Sequence, residues 1–279
     1  MTYDEILYDV DDPIATITLN RPEALNAFTT RMGNELRAAV GEAERDPRVV
    51  GIILTGAGRG FCAGADMNML SGISSGDDGE ERPSERGGVE TEVGDASWGD
   101  DLRGTYTYLL SVPKPIVAAI NGPIAGMAVP IALACDLRFM TRDAVLTVAF
   151  SQRGLIAEWG VGWLLPRLVG SGAALDLLFS SRKVDGAECE RIGLVNRAVD
   201  GDVVEVAREY IAYLAAHCSP SSLAVMKRQI YQQLHAGLGP AEREAQALMV
   251  ESFGRPDFTE GVRSFMEKRP PAFRRLPIE

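Results

Sequence analysis

The chain has 279 residues, 46% of them hydrophobic and 24% charged, an ordinary balance for a globular enzyme and long enough to bury a large core. Its net charge of −11 is concentrated: between residues 77 and 101 ten acids face only Arg82 and Arg86, a local −8 that leaves −3 for the remainder. No basic patch of the kind that nucleic acid needs is present, so nucleic acid is not an expected partner.

The N-terminus, MTYDEILYDVDDP, has neither the basic nor the apolar stretch of a signal peptide, and a cytoplasmic location is expected. Two short strands are predicted at about 3–9 and 14–19, where ATITLN alternates and carries β-branched residues. NRPEALNAF reads as a loop. TTRMGNELRAAVGEAERD reads as a helix, capped by Thr29 or Thr30, with Met32, Leu36, Ala39, Val40 and Ala43 on one face. VVGIILTG, 49–56, is a continuous apolar strand, which implies burial on both faces. A Gly-rich turn and FCAGADMNML follow. Residues 72–104 are polar, Gly-rich and acidic, and read as a long loop or partly disordered insert.

From 105 to 198 strand-like and helix-like segments alternate: TYTYLLSV, PIVAAI, GMAVPIALACD, LRFMT, AVLTVAF, GSGAALDLLFS and GLVNRAV. From about 202 the pattern is purely helical. The predicted architecture is an α/β core of strand–strand–helix units over 1–201, followed by a C-terminal helical segment over 202–279. Residues 115–135 are uncharged for 21 residues, but Asn121, Gly122 and three prolines break them into a strand, a turn and a helix. They are read as buried core, not as a membrane span. The four cysteines form no CxxC pair and are read as buried free thiols of a reducing compartment; no metal site is expected.

Few motifs carry chemistry. GISSG (72–76) matches the nucleophile-elbow pattern but opens the acidic insert, and both histidines, His217 and His235, lie in the helical tail. GAGRG (56–60) lacks the spacing of a dinucleotide-binding loop. Glu158, alone in GLIAEWGVGWLLPRLVG, is either a capping or solvent-facing residue near a helix start at Gly160, or a general acid–base group whose pKa is raised by apolar walls. FCAGAD (61–66) and NGPIAGMA (121–128) each follow an apolar strand. Turns of this kind either serve tight chain reversal or aim backbone N–H groups at a developing negative charge.

LNRPEALNAF, GAGRGFCAGAD, NGPIAGMAVPIALACDLRF and SFMEKRPPAF occur in the order and spacing of the landmarks of the crotonase superfamily, the enoyl-CoA hydratases and isomerases, and the chain resembles that family from about residue 3 to 276. The resemblance implies a crotonase-like spiral of ββα units with a C-terminal helical segment that packs into trimers or hexamers. It implies an acyl-CoA thioester as substrate, with no cofactor beyond the CoA that the substrate carries and no membrane partner.

By motif match, the thioester oxygen is held by the N–H groups of Ala65 and Met127; Met127 stands where the family usually has glycine. Ala63, Asp66, Met67 and Asn68 match the stretch lining the CoA and thioester site. Ala24 and Leu25 match the loop at the nucleotide end, where Glu23 stands in place of a common lysine. Phe265, Lys268 and Arg269 match the C-terminal stretch that reaches the same end. The two glutamates of a hydratase fall on Pro130 and Phe150, so both are missing. Glu158 instead matches the glutamate of the Δ3,Δ2-enoyl-CoA isomerase branch, in a G-x-x-x-E-x-G pattern. The expected activity is therefore migration of a double bond from C3 to C2 of an enoyl-CoA. The alternatives are hydration of a 2-enoyl-CoA in fatty-acid degradation (β-oxidation) and a catalytically silent acyl-CoA-binding protein.

Overall fold

The computed structural model describes residues 2–67, 71 and 92–276. Strands β1 (Ile6–Asp11) and β2 (Ile14–Leu19) form an antiparallel hairpin, and β3 (Gly51–Gly56), β4 (Ile116–Ile120), β6 (Leu137–Thr141) and β9 (Arg197–Val199) extend it in parallel. The short strands β5 (Ile124–Ala125), β7 (Val145–Thr147) and β8 (Val184–Asp185) make a second sheet. From β4 onward the pairs β4/β5, β6/β7 and β8/β9 each place one strand in each sheet, as in the spiral of ββα units expected from the resemblance. The burial patterns explain the order. GIILTG and IVAAI are buried at every position and sit in the middle, whereas β1 alternates and takes the edge.

Helix α1 (Thr30–Arg45) starts where Thr29 accepts a hydrogen bond from the N–H of Met32, and its buried face is Met32, Leu36, Ala39, Val40 and Ala43 together with Gly41. The other helices are α2 (Ala128–Ala134), α3 (Val161–Ser180), α4 (Gly186–Arg191), α5 (Val203–His217), α6 (Pro220–Gln233), α7 (Leu238–Phe253) and α8 (Pro256–Glu267). Residues 115–135 form β4, β5 and α2, almost entirely buried. By length and composition alone α3 could cross a membrane, but Gly170 (φ 76°, ψ 160°) breaks it into two halves, each too short to span.

One feature departs from the expectations. Residues 92–104 of the acidic segment are not loose: Val93, Trp98 and Leu102 are buried in the main core, and the Gly94 N–H donates to the Glu44 carboxylate. Residues 72–91, including GISSG, lie outside the described residues. TYTYLLSV, one of the segments expected to be strand-like or helix-like, is a 3-10 segment (Thr107–Ser111) with Tyr108, Leu109 and Leu110 buried.

The C-terminal segment divides physically after its first helix. The apolar face of α5 is covered within the chain, since Val203, Ala207 and Ile211 pack on Ile53, Val117 and Phe139 across one face of the large sheet. Helix α6 is tied to the core by a partly buried ion pair. The Asp136 carboxylate accepts from Lys227 at 2.8 Å, from the Tyr231 hydroxyl at 3.0 Å and from the Ile116 N–H at 2.7 Å. Lys227 also donates to the carbonyls of Leu109 and Lys114.

Removing one partner of such a pair leaves a buried charge uncompensated. Asp136→Ala is expected to cost about 3–5 kcal/mol in urea unfolding. Lys227→Met should cost less, because Ile116 and Tyr231 still satisfy the carboxylate.

Candidate active site

The two glycine-rich turns are stitched to each other by their backbones. The N–H groups of Phe61 and Cys62 donate to Pro123 O, and Ala125 N–H donates to Cys62 O at 3.0 Å. Ala63 N–H goes to Leu25 O, Phe28 N–H to Gly64 O and Asp66 N–H to Phe28 O. On the second turn Gly126 N–H donates to Thr147 O. The N–H groups of Ala65 and Met127 have no acceptor among the described residues. The two turns approach closely at Gly64: it has φ +100°, and a Cβ built on it would lie 3.0 Å from Ala125 O and 3.6 Å from Met127 N. Only glycine allows this approach. Met127 has ordinary helical backbone (φ −56°, ψ −25°), so a side chain in place of the family's glycine brings no strain, and it packs in the main core.

Glu158 sits on a tight bend before α3. Ala149 (φ 57°) and Trp159 (φ 51°) are left-handed non-glycine residues, and Gly154 and Gly160 share that conformation. At the non-glycine residues Ala149 and Trp159 such backbone costs about 1–3 kcal/mol each and persists where packing enforces it. Here the Trp159 ring meets Tyr106 edge-on at 5.1 Å, and Tyr106 meets Phe28 at 5.7 Å, whose backbone is bridged to Ala65. This chain of contacts links the bend to the unpaired N–H groups.

The capping reading of Glu158 does not hold, because α3 begins at Val161, after Gly160, without a side-chain cap. The carboxyl is half-buried, makes no hydrogen bond or ion pair with a described residue, and is pushed above its ordinary pKa by burial alone. Pro130 and Phe150 are both buried. Pro130 is the third residue of α2, where its missing N–H would have had no intrahelical partner. Neither side chain can move a proton.

The remaining expected residues separate into groups. Ala24 and Leu25 lie on a 3-10 turn, with Leu25 and Asn26 left-handed. Asn26, fully buried, pins this turn by donating to Ala57 O and Gly60 O while accepting from Arg21 N–H. The Asp66 carboxylate pairs with Arg21 at 2.9 Å, which fixes the 61–66 turn. Met67 is exposed, and Asn68 lies outside the described residues. Phe265 and Lys268 are exposed on the far end of α8, which makes no hydrogen bond or ion pair with the two turns among the described residues. Lys268 makes no described ion pair, whereas Arg269 is engaged by Glu260.

Sequence reasoning missed His235. It stacks on Trp163 at 5.1 Å beside a cavity of about 400 Å³ whose walls include Trp159 and Gly160. Only the isolated aromatic content of 154–170 hinted at it.

Residues 9–275 match the family model described as enoyl-CoA hydratase/isomerase. The chain belongs to this family, within the crotonase superfamily. It is 36% identical over 282 residues to a probable enoyl-CoA hydratase of Rhodobacter capsulatus, covering 98% of this chain and 99% of that one. It is 32% identical over 271 residues to the 1,2-epoxyphenylacetyl-CoA isomerase of Escherichia coli, covering 96% and 97%. Among solved structures, an enoyl-CoA hydratase from Bacillus anthracis matches with a TM-score of 0.84 at 26% identity, covering 97% of this chain and 99% of that one. The fold of the family is thus the fold of this chain.

The raised pKa of Glu158 has a definite sign. The native state holds the proton more tightly than the unfolded chain, so between the unfolded value near 4.3 and the higher native value stability falls as pH rises. Glu158→Gln is expected to melt slightly above the parent at pH 8, with the gain lost below about pH 4. A melting temperature lowered at both pH values would mark the side chain as structural.

Proposed function

We propose that this enzyme is an enoyl-CoA isomerase that shifts a 3-enoyl-CoA double bond to the 2-position through an enolate. The thioester oxygen binds the N–H groups of Ala65 and Met127. Each such donor is typically worth about 10²–10³ in rate when charge develops on the oxygen. Glu158 removes a proton from C2, the electron pair moves onto the thioester oxygen, and the collapsing dienolate takes the same proton at C4. One carboxylate is enough, and its raised pKa brings it closer to the range where it both accepts and returns a proton.

The observation that carries this reading is the acid–base inventory. Of the three positions where relatives place acids, two hold buried Pro130 and Phe150 and the third holds a half-buried carboxylate with no described partner. Hydration asks for a second group to position water, and hydratase names among the relatives make it the reading to test against.

Ala24, Leu25, Ala63 and the 66–68 stretch are proposed to line the CoA path, with Lys268 and Phe265 at its nucleotide end. Because α8 makes no hydrogen bond or ion pair with the two turns among the described residues, the last contact is proposed to come from a neighbouring copy. Ile230, Leu238, Phe253 and Phe265 leave α6–α8 with apolar faces exposed within one chain, Leu238 by 85% and Phe265 by 86%.

Assays of a 3-enoyl-CoA and a 2-enoyl-CoA side by side test the activity. Glu158→Gln is expected to lower isomerase kcat by about 10²–10⁴ with acyl-CoA binding retained. Near-parental turnover, or water addition to the 2-enoyl-CoA as the dominant activity, would remove the isomerase assignment. The assembly is expected to be a trimer or a pair of trimers, and a monomer in sedimentation at micromolar concentration would contradict it.

A further inference from the structure

We propose that the cavity beside Glu158 receives the distal end of the acyl group and prefers a ring-bearing, uncharged acyl group over a straight chain of equal carbon number. The proposal rests on the protein being an acyl-CoA enzyme and names the substrate class of the same site. Its first support is position. Trp159 and Gly160, the residues that follow Glu158, form part of the cavity wall, and Tyr106 joins that wall to Phe28 beside Ala65. Glu158 itself does not line the space, but the two residues after it do, so the proposed acyl path runs from the two N–H groups past Glu158 into it.

Size is the second support. The cavity measures about 400 Å³, more than twice the roughly 150 Å³ that is known to hold a benzene molecule. The third support is the wall itself. Tyr106, Trp159 and Trp163 are three aromatic faces or edges on one space, and each is fixed. Trp159 is held edge-on by Tyr106, while Trp163 is stacked by His235 at 15° and covered by the Arg167 guanidinium at 3.9 Å. A ring gains edge-to-face contacts with such walls beyond its buried area. A long chain of equal carbon count must immobilise many more torsions to fill the same space.

Charge gives the fourth support. Asp101 lines the cavity, and no Lys or Arg does among the described residues. His235 is the one basic side chain among the described lining residues and is stacked on Trp163, so a carboxylate-ended acyl group would face the Asp101 carboxylate with no Lys or Arg lining the space.

Binding, not turnover, is the test. Saturated thioesters have no double bond to move, so the outcome is independent of the isomerase assignment. Calorimetric titration of the full chain with 6-phenylhexanoyl-CoA and dodecanoyl-CoA compares twelve acyl carbons with twelve. The phenyl compound is expected to bind tighter on the order of tenfold. Trp163→Leu keeps an apolar wall but removes the ring and is expected to abolish most of that preference with the dodecanoyl Kd little changed. Thr107→Phe, which fills the cavity from a different element, is expected to abolish it as well. Equal or tighter binding of dodecanoyl-CoA by the parent, or equal weakening of both ligands in both variants, would overturn the proposal.

Discussion

A peptide N–H in a protein interior normally finds an acceptor, and leaving one open costs about 1–3 kcal/mol. Ala65 and Met127 hold two such groups with no acceptor among the described residues, on two turns that the surrounding backbone ties together. Several neighbouring N–H groups are taken by carbonyls of the other turn or of the loop that contains Leu25 and Phe28, and that of Gly126 by Thr147 of β7. Asn26 and Arg21 then lock that loop from behind. The two sheets matter for the same reason: β3 and β4 deliver the chain to the two turns from adjacent positions of the large sheet, and β5 places the second turn against the first. A parallel arrangement brings both strand ends to the same edge, which is where α/β folds place ligands.

How much of this was legible in the sequence depended on the range of the interaction. Helix α1 was readable to its cap and its buried face, because capping at Thr29 and the 3.6-residue apolar period are local signals. The central strands were readable because an unbroken apolar run has few other homes. The pairing of Ala65 with Met127 rests on residues about sixty apart, and only the order of the family landmarks pointed to it. The burial of Val93, Trp98 and Leu102 was hidden by acidic neighbours that dominate the composition of 72–104. His235 on Trp163, and Asp136 with Lys227 and Tyr231, were invisible for a plainer reason: polar contacts between remote elements have no periodicity to betray them.

Glu158 shows the opposite balance of forces from Asp136. Both are carboxylates set against apolar surroundings. Asp136 is satisfied by an amine, a hydroxyl and an amide N–H, so it serves as an anchor and ties α6 to the core. Glu158 has none of these among the described residues, and burial acts on it in the direction that favours the proton. It is also presented on left-handed backbone that Trp159 adopts only because Tyr106 and the start of α3 hold it. A fold selected for stability alone would pair the acid or replace it, and would relax the bend. The left-handed backbone coincides with a carboxylate that has no described partner, two aromatic contacts away from a residue bridged to Ala65, and this is the physical reason for proposing acid–base chemistry at Glu158, in contrast to the anchoring role of Asp136.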